Sequence, residues 1–317
     1  MFWKINMLKI FLKQISIFLS FGIFKKFDFD EKKHYFLEKF LINKASILFK
    51  KNPRLKTHKN LSTVILSLIK KKNLKSFLRN NYIQNIFFIH NRIFIYFELK
   101  ELQKDKMWKL WKKLIRDNNV GNPVWYFLYP ESTGNRIRQV YILKKFLDLT
   151  PNVKLRKIKS VTEIGGGYGC MADIFYNLNK NIKFTIYDMY EVNLLQYYYL
   201  KMNNRNPKLN SILGKLKLIN NLNDLNKQKK NDLTIANWSL SEFPINFRNK
   251  FLRLIKDSRY TIISFQKNFE KIDNLKFFKN EIKKLGKKYR SNFDTFNHYN
   301  NSFLNSNKHY ILTIYKK

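Results

Sequence analysis

The ten residues Val161-Thr-Glu-Ile-Gly-Gly-Gly-Tyr-Gly-Cys170 constrain this chain more than any other stretch. The β-branched run from Ile158 to Ile164 reads as a strand, the glycines as a tight turn, and Met171 to Leu178 as a short helix. That order lets a backbone close on a nucleotide-like ligand, because a side chain in the turn would occupy the ligand's space. Some of the glycines are expected at positive φ. Glycine-rich turns also serve as plain connectors, so the neighbouring strands decide. The next strand-like run, Lys183 to Tyr187, ends in Asp188. A carboxylate at that strand tip is placed to accept hydrogen bonds from both hydroxyls of a ribose.

The rest of the C-terminal part alternates as a doubly wound α/β sheet should. Further strands are expected at Leu216 to Ile219, Asp232 to Ala236 and Tyr260 to Phe265. Helices are expected at about Glu191 to Asn203, Pro244 to Ile255 and Asn274 to Leu285. Two last runs, Asn292 to Phe296 and His309 to Tyr315, suit an antiparallel hairpin closing the sheet. Ligands of such sheets bind beyond the carboxyl ends of the strands. That rule gathers the glycine loop, Asp188 and Asn237 to Ser239 around one crevice.

A dinucleotide fingerprint, G-x-G-x-x-G, would place Cys170 where the third glycine belongs. The pattern E-x-G-x-G-x-G is matched by Glu163, Gly165, Gly167 and Gly169, and it resembles the cofactor loop of class I S-adenosylmethionine (SAM) methyltransferases. Three blocks narrow the resemblance: Glu163 to Gly169, Tyr187-Asp-Met-Tyr-Glu-Val-Asn-Leu-Leu-Gln196, and Asn237-Trp-Ser-Leu-Ser-Glu-Phe-Pro244. Together they are similar to bacterial sugar O-methyltransferases encoded with surface-polysaccharide genes, over roughly Gly121 to the C-terminus. Met189-Tyr190 and Phe243 depart from that family's usual Leu-Pro and Met. The resemblance implies a class I methyltransferase Rossmann-like sheet ending in the antiparallel hairpin, with SAM as cofactor. It implies that Glu163, Gly165, Gly166, Gly167 and Gly169 line the methionine end of SAM. Asp188 would hold the ribose with Met189 beside it, Asn237, Trp238 and Ser239 would pass the adenine and sulfonium side, and Ser241 and Glu242 would stand at the acceptor entrance. The acceptor implied is a sugar hydroxyl on a nucleotide sugar or a lipid-linked glycan. An RNA methyltransferase and a non-catalytic SAM-binding protein are the alternatives. The Asn/Asp-Pro-Pro-aromatic turn of base-directed nucleic-acid methyltransferases is missing after strand four, where Asn237-Trp-Ser-Leu stands.

Methyl transfer to a hydroxyl needs alignment and a group that takes the proton. Glu242, His298 and His309 are the downstream candidates. His298 is expected in a loop, Asn297 to Asn301, facing the crevice, whereas His309 begins the last strand and is read as structural. The alternative for Glu242 is an ordinary helix N-terminal acid before Pro244. No cluster has metal-ligand spacing. Cys170 is the sole cysteine, which leaves no disulfide framework and reads as a buried, inert thiol.

In a chain of 317 residues the sheet leaves room for an extension. Residues 1–120 are expected to form a mainly helical accessory region and 121–317 the methyltransferase domain. Leu37, Phe40, Leu41 and Ile42 make one apolar stripe in that region, and Leu61, Val64, Ile65 and Leu68 another; Tyr82 to Phe97 suits strand or buried helix. His90 there is read as a core histidine. After the turn-forming stretch Gly121 to Pro130, Ser132 or Thr133 is expected to cap a helix running to Leu147. Arg138 on it is a surface residue, with a cofactor or substrate contact as the alternative. The formal charge is +40, yet lysine is spread along the whole length, so no specific nucleic-acid partner is expected. Met1 to Phe27 mixes apolar and basic residues, with an apolar run too short to span a bilayer. It is read as an amphipathic helix on the body, with attachment to an anionic membrane as the alternative. The expected location is the cytoplasm, with the inner membrane face as the sharper alternative.

Overall fold

The computed structural model describes residues 29–51, 61–87, 89, 92–227, 231–299 and 306–316. The chain divides into two compact units. One takes residues 1–141, 167–173 and 189–206, and the other takes 142–166, 174–188 and 207–317.

The first unit is mainly helical among its described residues. It contains α1 (Glu31–Lys51), α2 (Leu61–Lys70), α3 (Asn81–Ile86), α4 (Ile93–Lys104) and α5 (Trp108–Ile115). The stripe on α2 packs inward through Ile65, Leu68 and Ile69. On α1 the expected stripe splits: Leu41 is buried, while Phe40 turns toward solvent. The ambiguous stretch Tyr82 to Phe97 is helical in α3 and α4 and non-helical at the described residues between them, and His90 lies outside the described residues. So does the segment Met1 to Phe27.

The turn-rich stretch forms a small antiparallel hairpin, β1 (Trp125–Tyr126) with β2 (Tyr129–Thr133). Next comes α6 (Gly134–Leu149), whose residues up to Tyr141 count with this unit. The Thr133 hydroxyl caps it by accepting from the Arg136 amide at 3.2 Å. Helix α8 (Tyr190–Met202) also belongs here.

The second unit is built on an eight-stranded sheet. In chain order its strands are β3 (Ser160–Ile164), β4 (Lys183–Tyr187), β5 (Pro207–Leu209), β6 (Leu216–Ile219), β7 (Leu233–Asn237), β8 (Tyr260–Gln266), β11 (Tyr289–Tyr299) and β12 (Ser306–Lys316). The spatial order is β11-β12-β8-β7-β3-β4-β6-β5. The strands from β5 to β8 run parallel, and β12 enters antiparallel between β8 and β11. This is the class I methyltransferase Rossmann-like sheet with its closing hairpin.

Helices α7 (Cys170–Leu178, shared between the units), α9 (Leu222–Asn226), α10 (Ile245–Asp257) and α11 (Asn274–Lys283) connect the strands, with a short pair, β9 (Asn268–Phe269) and β10 (Ile272–Asp273), ahead of α11. Strands β3, β4, β7 and β8 are almost wholly buried, as strands covered on both faces must be. The core over β7 and β8 includes Phe251 of α10 and Phe278 of α11, the latter ring 4.6 Å from that of Phe265. Among the described residues no helix is long and apolar enough to cross a membrane.

The hairpin differs from expectation in length. β11 and β12 pair from Tyr289↔Lys316 to Tyr299↔Ser306, so His298 sits in a strand opposite Asn307 and not in a loop. The ladder satisfies backbone groups that a loop at Asn297 would have left to water.

Candidate functional site

Chain order reverses at β3. From it β4 and β6 lie to one side, and β7 and β8 to the other. A ligand crevice belongs at such a switch point, beyond the carboxyl ends of the strands. The glycine loop leaves β3 at that point.

Within the sheet unit the loop is tied on three sides. Gly165 donates its amide to the Tyr187 carbonyl at 2.9 Å. Gly166 donates to Asp188 Oδ2 at 3.0 Å. The Ser239 hydroxyl donates to the Ile164 carbonyl. Gly165 has φ +72°, and a Cβ there would lie 2.3 Å from the Cβ of Ser239. Only glycine fits that approach. Asp188 is itself held at the end of β4 by its amide, which donates to Ile219 at 3.0 Å.

Glu163 has the least usual setting. It lies mid-sheet, between Ile186 of β4 and Ile235 of β7, and is 4% exposed. Its Oε2 has no hydrogen-bond partner among the described residues. Burial raises its pKa to about 8, and the Asp188 charge adds to the rise. A buried carboxyl without a partner is costly unless something occupies the site.

Asn237 ends β7, and Trp238 follows at φ +56°, an uncommon conformation for a bulky residue. Two bonds hold it there. Its amide donates to the Ser264 carbonyl at 2.7 Å, and its indole Nε1 donates to His309 Nδ1 at 2.8 Å. His309, buried at the start of β12, therefore accepts at Nδ1 and keeps its proton on Nε2. The structural reading of His309 stands, with a role as the buttress of the Trp238 turn.

Glu242 ends the short turn Leu240–Glu242, is solvent-exposed, and accepts from Gln266 Nε2 at 3.3 Å. Sequence reasoning missed the residue under this turn. The Arg248 guanidinium is fully buried and donates to the carbonyls of Ser241 and Phe243 and, at 2.7 Å, to Asn274 Oδ1. Asn274 in turn donates to the Gln266 carbonyl at 2.9 Å. The spacing of Arg248 from Phe251 and Ile255, three and seven positions on, does place it on the buried stripe of α10.

The second half of the loop counts with the helical unit. Gly167 and Gly169 have φ +55° and +99°. Gln196 Nε2 of α8 donates to the Gly167 carbonyl at 3.0 Å, and Asn135 Nδ2 donates to the Tyr168 hydroxyl at 2.7 Å. Met189 is exposed. Beneath them Arg136 pairs with Asp173 at 2.8 Å, and Arg205 pairs with the other oxygen of Asp173 at 2.8 Å. Cys170 is buried, and burial pushes its thiol up to about 12, which leaves it inert as a nucleophile.

Arg138 is not a surface residue. It is fully buried, grips Glu98 with two nitrogens at 2.6 and 3.0 Å, and lies 4.4 Å from the Phe94 ring centroid. A buried arginine in an apolar stripe demands a carboxylate, and α4 supplies one. Among the described residues no group of three or more His, Cys, Asp or Glu is placed to hold a metal ion.

No protein-family model matches the sequence, and no curated protein matches it. Solved structures do. The chain is similar to precorrin-6y C5,15-methyltransferase from Geobacter metallireducens at 12% identity and TM-score 0.41, over 58% of this chain and 89% of that one. It is similar to the human methyltransferase 10 domain containing protein at 14% identity and TM-score 0.39, over 56% and 81%. A third is the methyltransferase domain of bacterial CtHen1-CN, at 15% identity and TM-score 0.39, over 56% and 97%.

Proposed function

We propose that this chain is a SAM-dependent methyltransferase whose acceptor is a sugar hydroxyl, carried on a nucleotide sugar or a lipid-linked glycan. The observation that carries the cofactor reading is the buried, unpartnered Glu163 carboxyl at the switch point, next to a glycine turn pinned by Asp188. SAM fits those residues. Its ammonium is a cation for Glu163, and its ribose offers hydroxyls that a strand-tip carboxylate such as Asp188 accepts. Bound there, SAM would supply a methyl group on a sulfonium.

The chain's own residues do the remaining work. Glu163 keeps its proton to about pH 8 in the free protein, and an entering ammonium would draw that proton off to form an ion pair that is worth more in a desolvated setting than in water. Asp188 fixes the Gly166 amide, and Ser239 fills the space that Gly165 leaves open. Asn237, Trp238 and Ser239 form the proposed adenine and sulfonium side. Gly167, Gly169 and Met189 are assigned to the cofactor on the resemblance alone.

The sugar acceptor rests on the resemblance of the Asn237 to Pro244 block. A hydroxyl nucleophile needs a base. Glu242 and His298 are the candidates we retain, Glu242 because Gln266 orients its carboxylate and His298 because an imidazole ring nitrogen can accept a hydroxyl proton.

The test is calorimetric SAM binding followed by transfer of labelled methyl. Label is expected in a sugar nucleotide or a lipid-linked oligosaccharide fraction and not in RNA. SAM binding with label in RNA at physiological salt would replace the acceptor, binding with no transfer to any fraction would leave a non-catalytic SAM protein, and failure to bind SAM would overturn the cofactor.

A further inference from the structure

Helix α1 is apolar on two sides, and among the described residues one is buried while the other is largely exposed. Leu41 and Ala45 are fully buried, with Glu38 beside them. Successive residues of an α-helix advance by about 100°. On that wheel Phe36, Phe40 and Ile47 fall on the side opposite Leu41 and Ala45, and they are 69%, 39% and 43% exposed. From Phe36 to Ile47 the stripe runs for about 16 Å at the helical rise.

Lysines flank it on both edges, Lys32 and Lys39 along one and Lys33 and Lys44 along the other. The acids of the helix lie elsewhere: Glu38 is buried, and Glu31 is paired with Lys75. The basic edge continues past the helix. The Phe40 ring lies 5.4 Å from that of Tyr197 of α8, and Lys201 Nζ lies 5.7 Å from the Tyr197 ring. Lys33 reaches Asn204 at 2.6 Å, and Asp30 accepts from the Lys33 amide. The Lys33 ammonium is held below its usual pKa, first by burial, with Asp30 opposing and Lys201 adding to the fall.

We propose that this outward face of α1 docks on an anionic lipid bilayer. An apolar stripe between lysine rows is the arrangement of helices that lie in a membrane interface, where buried apolar area and attraction to anionic headgroups act together. Phe36 and Ile47 are exposed side chains between lysines, and the acyl boundary of a bilayer accepts aliphatic and aromatic side chains alike. The proposal is independent of the methyltransferase reading.

The test is flotation of the full chain with phosphatidylcholine/phosphatidylglycerol vesicles and with pure phosphatidylcholine vesicles. The pair Phe36→Ser with Ile47→Ser and the pair Lys32→Glu with Lys39→Glu remove exposed groups only, and thermal melts confirm that each variant folds. Binding to the anionic vesicles is expected, weakening with salt, and each pair should lower it at least about tenfold. As a second readout, Phe36→Trp should give a blue-shifted emission change with anionic vesicles. The proposal is overturned by equal binding to neutral vesicles, by no binding at all, or by binding that both pairs leave intact, which would assign it to another segment such as residues 1–28. Self-association or RNA binding lost in both pairs without vesicle binding would also overturn it.

Discussion

Replacing Glu163 by glutamine should stabilise the free protein at alkaline pH while weakening cofactor binding. The carboxyl is 4% exposed, and its pKa is raised from 4.5 to about 8, first by burial and then by Asp188. A folded-state pKa above the unfolded value means that the native state holds the proton more firmly. The contribution of Glu163 to stability is therefore fully present below pH 4.5 and is lost as pH rises toward about 8. Each pH unit in that window costs roughly 1.4 kcal/mol at the limit, so the whole penalty is on the order of a few kcal/mol. Glutamine keeps the shape and cannot ionise. Thermal melts from pH 5 to pH 9 should show the parent losing stability across that range relative to the variant, with the two nearly equal near pH 5. Calorimetry at pH 8 should show the opposite order for SAM, because an ammonium beside a neutral amide loses a charge-assisted bond worth roughly 1.5–3 kcal/mol. A glutamine variant that is less stable than the parent at pH 8, yet binds SAM equally well, would make Glu163 an ordinary structural residue and remove the central argument for the site.

Gly165→Ala should destabilise the loop by ~1–3 kcal/mol and abolish SAM binding, since the new methyl would meet the Cβ of Ser239 at 2.3 Å on a backbone at φ +72°; a melt and a binding isotherm matching the parent would contradict it. Asp188→Ala removes the acceptor of the Gly166 amide and should lower SAM affinity at least about tenfold with the fold retained, as circular dichroism and calorimetry would report. Of His298→Ala and Glu242→Gln, the variant that removes the base should lower turnover about 10²-fold with SAM affinity unchanged, and full activity in both, together with sensitivity to EDTA, would move the reading to a metal.

What was legible in the sequence was local. The glycine spacing, the acid at the end of Lys183 to Tyr187 and the strand-helix alternation each lie within a few residues of one another, and the sheet follows them closely. Leu216 to Ile219 is the strand expected, and β3 and β7 differ only at their ends. Leucine, isoleucine and valine runs in parallel strands have few other stable placements. What was not legible depends on partners far along the chain. Arg138 meets Glu98 forty positions away, and no spacing announces the pair. The hairpin reaches Tyr299 because Ser306 lies opposite it, which a reading of either strand alone does not predict.

Helix α1 isolates the reason. Its sequence offers two apolar stripes at helical spacing, and periodicity ranks neither above the other. The packing of Leu41 and Ala45 buries one and leaves Phe36 and Ile47 exposed, with Phe40 partly covered by Tyr197. The Glu163 carboxyl follows the same logic from the opposite direction. The motif announces an acid at the end of β3, while the pKa rise comes from its burial between β4 and β7 and from Asp188. Sequence reading therefore identifies which groups are chemically capable, and the sheet decides which of them is held in a state that a proton or a cationic ligand relieves. That is why the stability and affinity of the Glu163→Gln variant should move in opposite directions, a separation that a residue placed merely for packing does not produce.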